Sequence, residues 1–194
     1  YDVDQSWVAP GFSTGFGYLE TFVQQTTGSL YKTMPQGLTD ANGTRRQLVC
    51  ATYSGSACVE YKTNDGSFIK VSGQVVSSNP SNATFVATGP DGTMIRYAGG
   101  FGAGDSRKHY PVVMQGNNGN RIRISYKDNL SGRIDKITDT INRQIKFYYE
   151  NDSSGNPDKL VTVTIPGMGA NDEIQTVRLY YEDLTLDTDD KFGN

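Results

Sequence analysis

The sequence predicts an all-β fold of antiparallel hairpins, and three observations carry that expectation. Polar and apolar residues alternate at period two along much of the chain. Glycine-containing turn pairs interrupt the alternation at short intervals. Hairpin-sized segments recur. No stretch keeps a helical apolar period through three turns.

The strands are clearest in the second half. Ile122, Ile124 and Tyr126 alternate with Arg121, Arg123 and Ser125. Ile145, Phe147 and Tyr149 alternate with Gln144, Lys146 and Tyr148. Val161, Val163 and Ile165 alternate with Thr162 and Thr164, and Val177, Leu179 and Tyr181 with Arg178 and Tyr180. Each set reads as a strand with one buried face. The expected core of this half is Ile124, Tyr126, Ile134, Ile137, Ile145, Phe147, Tyr149, Val161 and Val163.

Turn pairs separate these runs: Asn42-Gly43, Ser54-Gly55, Asp65-Gly66, Asp91-Gly92, Asn118-Gly119, Ser131-Gly132 and Ser154-Gly155. Asn-Gly and Asp-Gly suit tight hairpins because both central residues tolerate positive φ.

Two kinds of unit repeat. NDGSFIKVSG (64–73) matches PDGTMIRYAG (90–99) position by position, and Asn42-Gly43-Thr44 opens a weaker copy. NRIRISYKD (120–128) recurs as NRQIKFYYEND (142–152), and its end recurs in QTVRLYYED (175–183). The unit is about 22 to 26 residues in the first copies, roughly one hairpin each. A lone hairpin cannot bury its apolar face. The repetition therefore predicts a curled, open sheet or a β-solenoid-like shell segment, each hairpin completed by the next.

The Gly-rich stretch from Gly100 to Gly119, with Pro111, reads as a loop carrying one short strand. It divides an Asp-Gly hairpin region (1–115) from the second hairpin type (116–194), within one continuous unit.

A chain of 194 residues is long enough to bury a full core without metals or several disulfides. The hydrophobic fraction is a modest 36%, and twelve tyrosines and eight phenylalanines supply much of the large apolar surface. The net charge of −3 argues against nucleic acid as a partner. No apolar run approaches the roughly 20 residues of a membrane helix, so membrane insertion is not expected. The opening Tyr1-Asp2, without an initiator Met or a leader pattern, suggests a fragment or processed form of a longer protein.

Cys50 and Cys58 lie symmetrically about Ser54 in LVCATYSGSACVEY. A turn at Ser54-Gly55 would set them across one hairpin, which suits a disulfide. The alternative is two buried free thiols in a reduced compartment.

SGRIDKITDTINRQIKFYYE (131–150) resembles the RHS/YD repeat. Gly132, Arg133, Ile134, Ile137, Thr138, Asp139, Arg143 and Tyr149 fall on that pattern, while Asn142 stands where Gly is usual and Glu150 where Asp is usual. Tyr126-Lys127-Asp128 is also off the pattern. The clearer match covers roughly residues 116–183. A looser one covers roughly 11–100, where GFSTGFGYLETF (11–22) leads into Asp-Gly hairpins. The resemblance implies a large secreted or cell-surface protein. In such proteins, strips of hairpins form a shell around a toxin or a cell-contact scaffold, as in teneurins. The implied partners are further repeats of the same polypeptide, an enclosed C-terminal toxin, or a surface carbohydrate. The family's self-cleaving site lies at the far end of the repeats. No counterpart is seen here, and no catalytic residue is carried over.

Candidate chemistry is sparse. His109, the only histidine, sits in RKHYPVV (107–113) without a nucleophile elbow, and reads as structural or exposed. Glu182, Asp183, Asp187, Asp189 and Asp190 could suggest a glycosidase pair or a calcium loop. The spacing fails the calcium pattern, and a solvated acidic turn fits better. Neither a metal nor a cofactor is expected. Tyr148 and Tyr180 hold matching places in successive repeats, opposite the apolar set. On an open face they would form a ring ladder able to bind sugar. On a covered face they would pack across strands. Asn42, Asn82, Asn129 and Asn151 each open an N-glycosylation triplet. The sequence thus points to a non-enzymatic scaffold segment, with a carbohydrate- or surface-binding module as the alternative.

Overall fold

The computed structural model describes residues 15–102, 104–127, 132–168 and 172–182. Among the described residues, fourteen strands follow in order, with one 3-10 turn at Pro80–Asn82. They are β1 (Tyr18–Gln25), β2 (Tyr31–Thr39), β3 (Arg45–Ser54), β4 (Ala57–Thr63), β5 (Lys70–Ser72), β6 (Val75–Ser77) and β7 (Phe85–Thr88). After these come β8 (Met94–Phe101), β9 (Ser106–Gln115), β10 (Arg121–Tyr126), β11 (Ile134–Thr138), β12 (Gln144–Asn151), β13 (Pro157–Pro166) and β14 (Glu173–Arg178). Every pairing is antiparallel, so the all-β expectation holds.

The expected open or solenoid-like sheet is corrected. The path β1-β2-β3-β4-β5-β7-β8-β9 returns to β1 and closes an eight-stranded barrel. The closing seam pairs Leu19 with His109, Glu20 with Lys108, Thr21 with Arg107 and Phe22 with Ser106. Closure removes the unpaired edges that an open strip of these hairpins would leave. β9 also explains the tail. Its first half pairs with β1, while Val113–Gln115 pair with β10. The sheet therefore leaves the barrel at β9 and runs on through β11, β12, β13 and β14.

The stretch read as a loop, Gly100 to Gly119, thus holds the strand that closes the barrel. Its inward positions are Arg107, His109 and Pro111, of which His109 and Pro111 are fully buried. A polar inward set hides the period-two signal. Pro111 is accommodated beside a register shift between Arg96 and Tyr97 on β8.

The barrel core is Leu19, Leu38, Leu48, Cys58, Tyr61, Val71, Phe85, Ala87 and Tyr97. The tail has its own smaller core. Ile124, Ile134 and Leu160 are buried there, and the Tyr110 ring lies 5.3 Å from Phe101 and 5.5 Å from Tyr126. The expected tail core is only partly right. Tyr126, Ile137, Phe147, Tyr149, Val161 and Val163 are half-buried, and Ile145 is exposed. A register shift between Tyr148 and Tyr149 puts Leu160, rather than Val161, into the interior.

The hairpin turns also differ from expectation. Five share one geometry, closed by backbone bonds from Asp40, Gly89, Gly116, Asp139 and Asp152 to the residue four positions on. Only the fourth residue has positive φ: Gly43, Gly92, Gly119, Asn142 and Gly155. The Asn or Asp before the glycine does not. These are longer loops ending in a left-handed residue, not two-residue turns. Asn142, at φ 66°, does the job that glycine does elsewhere, as Asn tolerates this region.

Candidate functional site

Cys50 and Cys58 form a disulfide, with Cα atoms 5.9 Å apart. The hairpin turns at Gly55-Ser56, since Ser54 pairs with Ala57. Register shifts around Thr52 mean that Cys50 and Cys58 are not register partners.

His109 is inside the barrel with 0% exposure. Its Nε2 lies 3.0 Å from Thr21 Oγ1 across the closing seam, and its ring meets Phe85 edge-on at 5.1 Å. Gly100 leaves room for it: a Cβ there would stand 2.7 Å from His109 Cε1. Burial pushes the imidazole down to about 4; the Ala83 backbone opposes this shift and Arg107 adds to it. The neutral ring is a structural member of the seam, and no hydroxyl other than that of Thr21 is bonded to it among the described residues.

In the tail, the tyrosines that end each repeat share one contact. Tyr126 donates its hydroxyl to the Pro111 carbonyl, Tyr149 to that of Ile134 and Tyr181 to that of Leu160. The distances are 2.7, 2.7 and 2.6 Å. Each latches its strand to the preceding one. The repeated tyrosine noticed in the sequence therefore ties together the two strands of a hairpin at its open end.

Tyr148 and Tyr180 do not form a ring ladder. Tyr148 is 40% exposed and donates its hydroxyl to Glu173 Oε2 at 2.6 Å. Lys146 pairs with the other carboxylate oxygen, and Thr164 Oγ1 adds a bond at 3.0 Å. Lys146 and Tyr148 together pull the Glu173 carboxyl down to about 2, with Thr164 helping. Tyr180 is 78% exposed and stacks with Arg178, whose guanidinium carbon is 5.1 Å from the ring centre. No stacking joins the two tyrosines among the described residues. Glu173, which organises this face, carried no signal in the sequence.

The opposite face of the tail is apolar. Register pairing aligns Ile124 with Ile137, Ile137 with Ile145, Phe147 with Val163, Val163 with Val177 and Ile165 with Ile174. Ile145, Ile165, Ile174 and Val177 are exposed. Through Ile122, Met114 and Ile95 this face continues into the barrel wall. Among the described residues, β14 pairs with β13 alone.

Glu182 is exposed, while Asp183, Asp187, Asp189 and Asp190 lie outside the described residues, as does Asn129. No helix among the described residues is long and apolar enough to cross a membrane.

A second feature had no sequence signal. A cavity of about 510 Å³ opens at the barrel end away from the tail, between the β1–β2 turn, the 3-10 turn and the β8–β9 turn. Gln25, Tyr31, Asn79, Ser81, Asp105 and Arg107 line it. Arg107 Nη1 donates to the carbonyls of Gly104 and Ser106, and its buried Nε has no acceptor.

No family model, curated protein or solved structure matches the chain.

Proposed function

We propose that this chain is a non-catalytic scaffold segment of a secreted or cell-surface protein of the RHS/YD-repeat kind, and that it starts a strip of hairpins. One observation carries the reading. The sheet is closed at one end and open at the other. The eight strands of the barrel are paired on both sides and only the three-residue β6, on β2, adds a short edge there, whereas the six-residue β14 pairs on one side only among the described residues. Each tail hairpin is fastened by one repeated contact, the tyrosine hydroxyl on a carbonyl of the preceding strand. Its apolar face is under-covered in the way expected of a layer that further repeats complete. The disulfide agrees with an oxidising compartment.

Under this reading the partners are further repeats of the same polypeptide, with an enclosed toxin or a cell-contact surface beyond them. Sugar binding on the tail tyrosines is the weaker reading, because the Tyr148 hydroxyl is already committed to Glu173.

Sedimentation across a concentration series tests the proposal. The isolated chain should self-associate, and Val177→Lys together with Ile174→Lys should suppress this without lowering the melting temperature. A chain that stays monomeric and binds no apolar dye on the tail would overturn it.

A further inference from the structure

We propose that the cavity at the barrel end away from the tail is a binding site for a neutral saccharide, independent of the scaffold role of the tail. The argument starts from charge. Asp105 and Arg107 line one cavity, yet no ion pair joins them among the described residues. Their formal charges cancel, so the site has no net attraction for a phosphate or another anion. A single carboxylate is too few for a cation site. A purely apolar ligand would strip water from both charges without replacing their hydrogen bonds.

A sugar meets these groups on their own terms. Neighbouring hydroxyls both donate and accept, so one can donate to the Asp105 carboxylate while the next accepts from the Arg107 guanidinium. The Arg107 group is held in advance, because its Nη1 donates to the Gly104 and Ser106 carbonyls. Asn79 is likewise fixed, because its Oδ1 accepts from the Ser81 backbone at 3.0 Å, which leaves its amide nitrogen as a donor. Gln25 and the Ser81 hydroxyl add further polar positions, and half-buried Tyr31 offers a ring for the apolar face of a pyranose. The volume of about 510 Å³ suits one or two sugar rings.

Saturation-transfer NMR on the whole chain tests the proposal, with glucose, galactose, mannose, N-acetylglucosamine, lactose and cellobiose as probes. At least one should give signal with a millimolar dissociation constant. Asp105→Asn and Gln25→Ala should each weaken it about tenfold or more while the thermal midpoint stays put. Tyr148→Phe with Tyr180→Ala should leave it unchanged. Absence of signal for all six sugars would overturn the proposal. So would binding indifferent to Asp105→Asn and Gln25→Ala, or binding lost only with the tail tyrosines. Glutamate or glycine binding in place of the sugars would reassign the site to a zwitterion and equally overturn it.

Discussion

Gly132 lies flat against the ring of Tyr110: a Cβ built on it would stand 2.4 Å from Tyr110 Cζ. Its φ of 69° adds a second reason for glycine. Tyr110 in turn packs against Phe101 and Tyr126, so this contact ties the start of β11 to the outside of the barrel seam. Gly132→Ala must both strain the backbone and displace an aromatic ring. We expect a loss of about 2–4 kcal/mol in urea unfolding. Amide exchange should show the loss concentrated in β10 and β11, with the barrel amides still protected. A loss under about 0.5 kcal/mol would mean that the ring does not pack there.

The tyrosine joint can be tested one hydroxyl at a time. Tyr149→Phe keeps the ring and removes the donor to the Ile134 carbonyl. The expected cost is about 0.5–1.5 kcal/mol, with similar values for Tyr126→Phe and Tyr181→Phe. An unchanged stability in all three would reduce the repeated tyrosine to a packing residue.

Phe147 distinguishes an isolated segment from one completed by neighbours. A fully buried ring costs about 3–5 kcal/mol when cut to alanine. Here the ring is half-buried, so Phe147→Ala should cost only about 1–2 kcal/mol in this chain. The cost should rise towards the full value in a longer chain whose further repeats cover the face. Equal costs in both contexts would argue against coverage.

Acid should weaken the barrel. His109 is depressed to about 4 when folded, against an ordinary value of about 6.5. The unfolded chain therefore binds the proton first, and stability falls as pH drops from about 6.5 to about 4. The full loss is about 3 kcal/mol below that window. The Asp91 and Asp152 carboxylates act with the same sign. Backbone N–H groups of Thr93 and Asn156 hold them low, so their contribution also disappears in acid. His109→Gln should flatten the fall between pH 6.5 and 4 in a series of urea melts. An unaltered slope would show that the histidine does not control it.

Reduction of Cys50–Cys58 opens a loop with a sequence separation of 8. A loop this short constrains the unfolded chain modestly, and the expected loss is about 2 kcal/mol. Melting with and without reductant measures it. The same shift in a Cys50→Ser, Cys58→Ser double variant would confirm that the covalent link is responsible.

Much of the fold is local and was legible from the sequence. The tail strands, the disulfide hairpin and the positions of the Asp-Gly turns each depend on residues close together in the chain. The match between 64–73 and 90–99 survives as a shared turn: Asp65 and Asp91 each accept from the backbone two residues on, at 3.0 Å. Phe68, at φ 57° and largely exposed, is where the first copy departs.

Barrel closure was not legible, for a physical reason. It depends on β1 meeting β9, a pairing whose hydrogen bond between Thr21 and His109 spans 88 residues. Period-two alternation says which residues of a strand share a face, but not which distant strand supplies the next edge. The strand that decides it faces inward with Arg107, His109 and Pro111, residues that carry no apolar pattern. The cavity follows from the same event, since Gln25, Asn79 and Arg107 are brought together only when the seam closes. The sequence by itself determined the class of structure, the approximate positions of the turns and the repeated tyrosine. Only the tertiary structure decided that half of the hairpins close into a barrel while the rest stay open, because that choice rests on contacts between segments far apart in the chain.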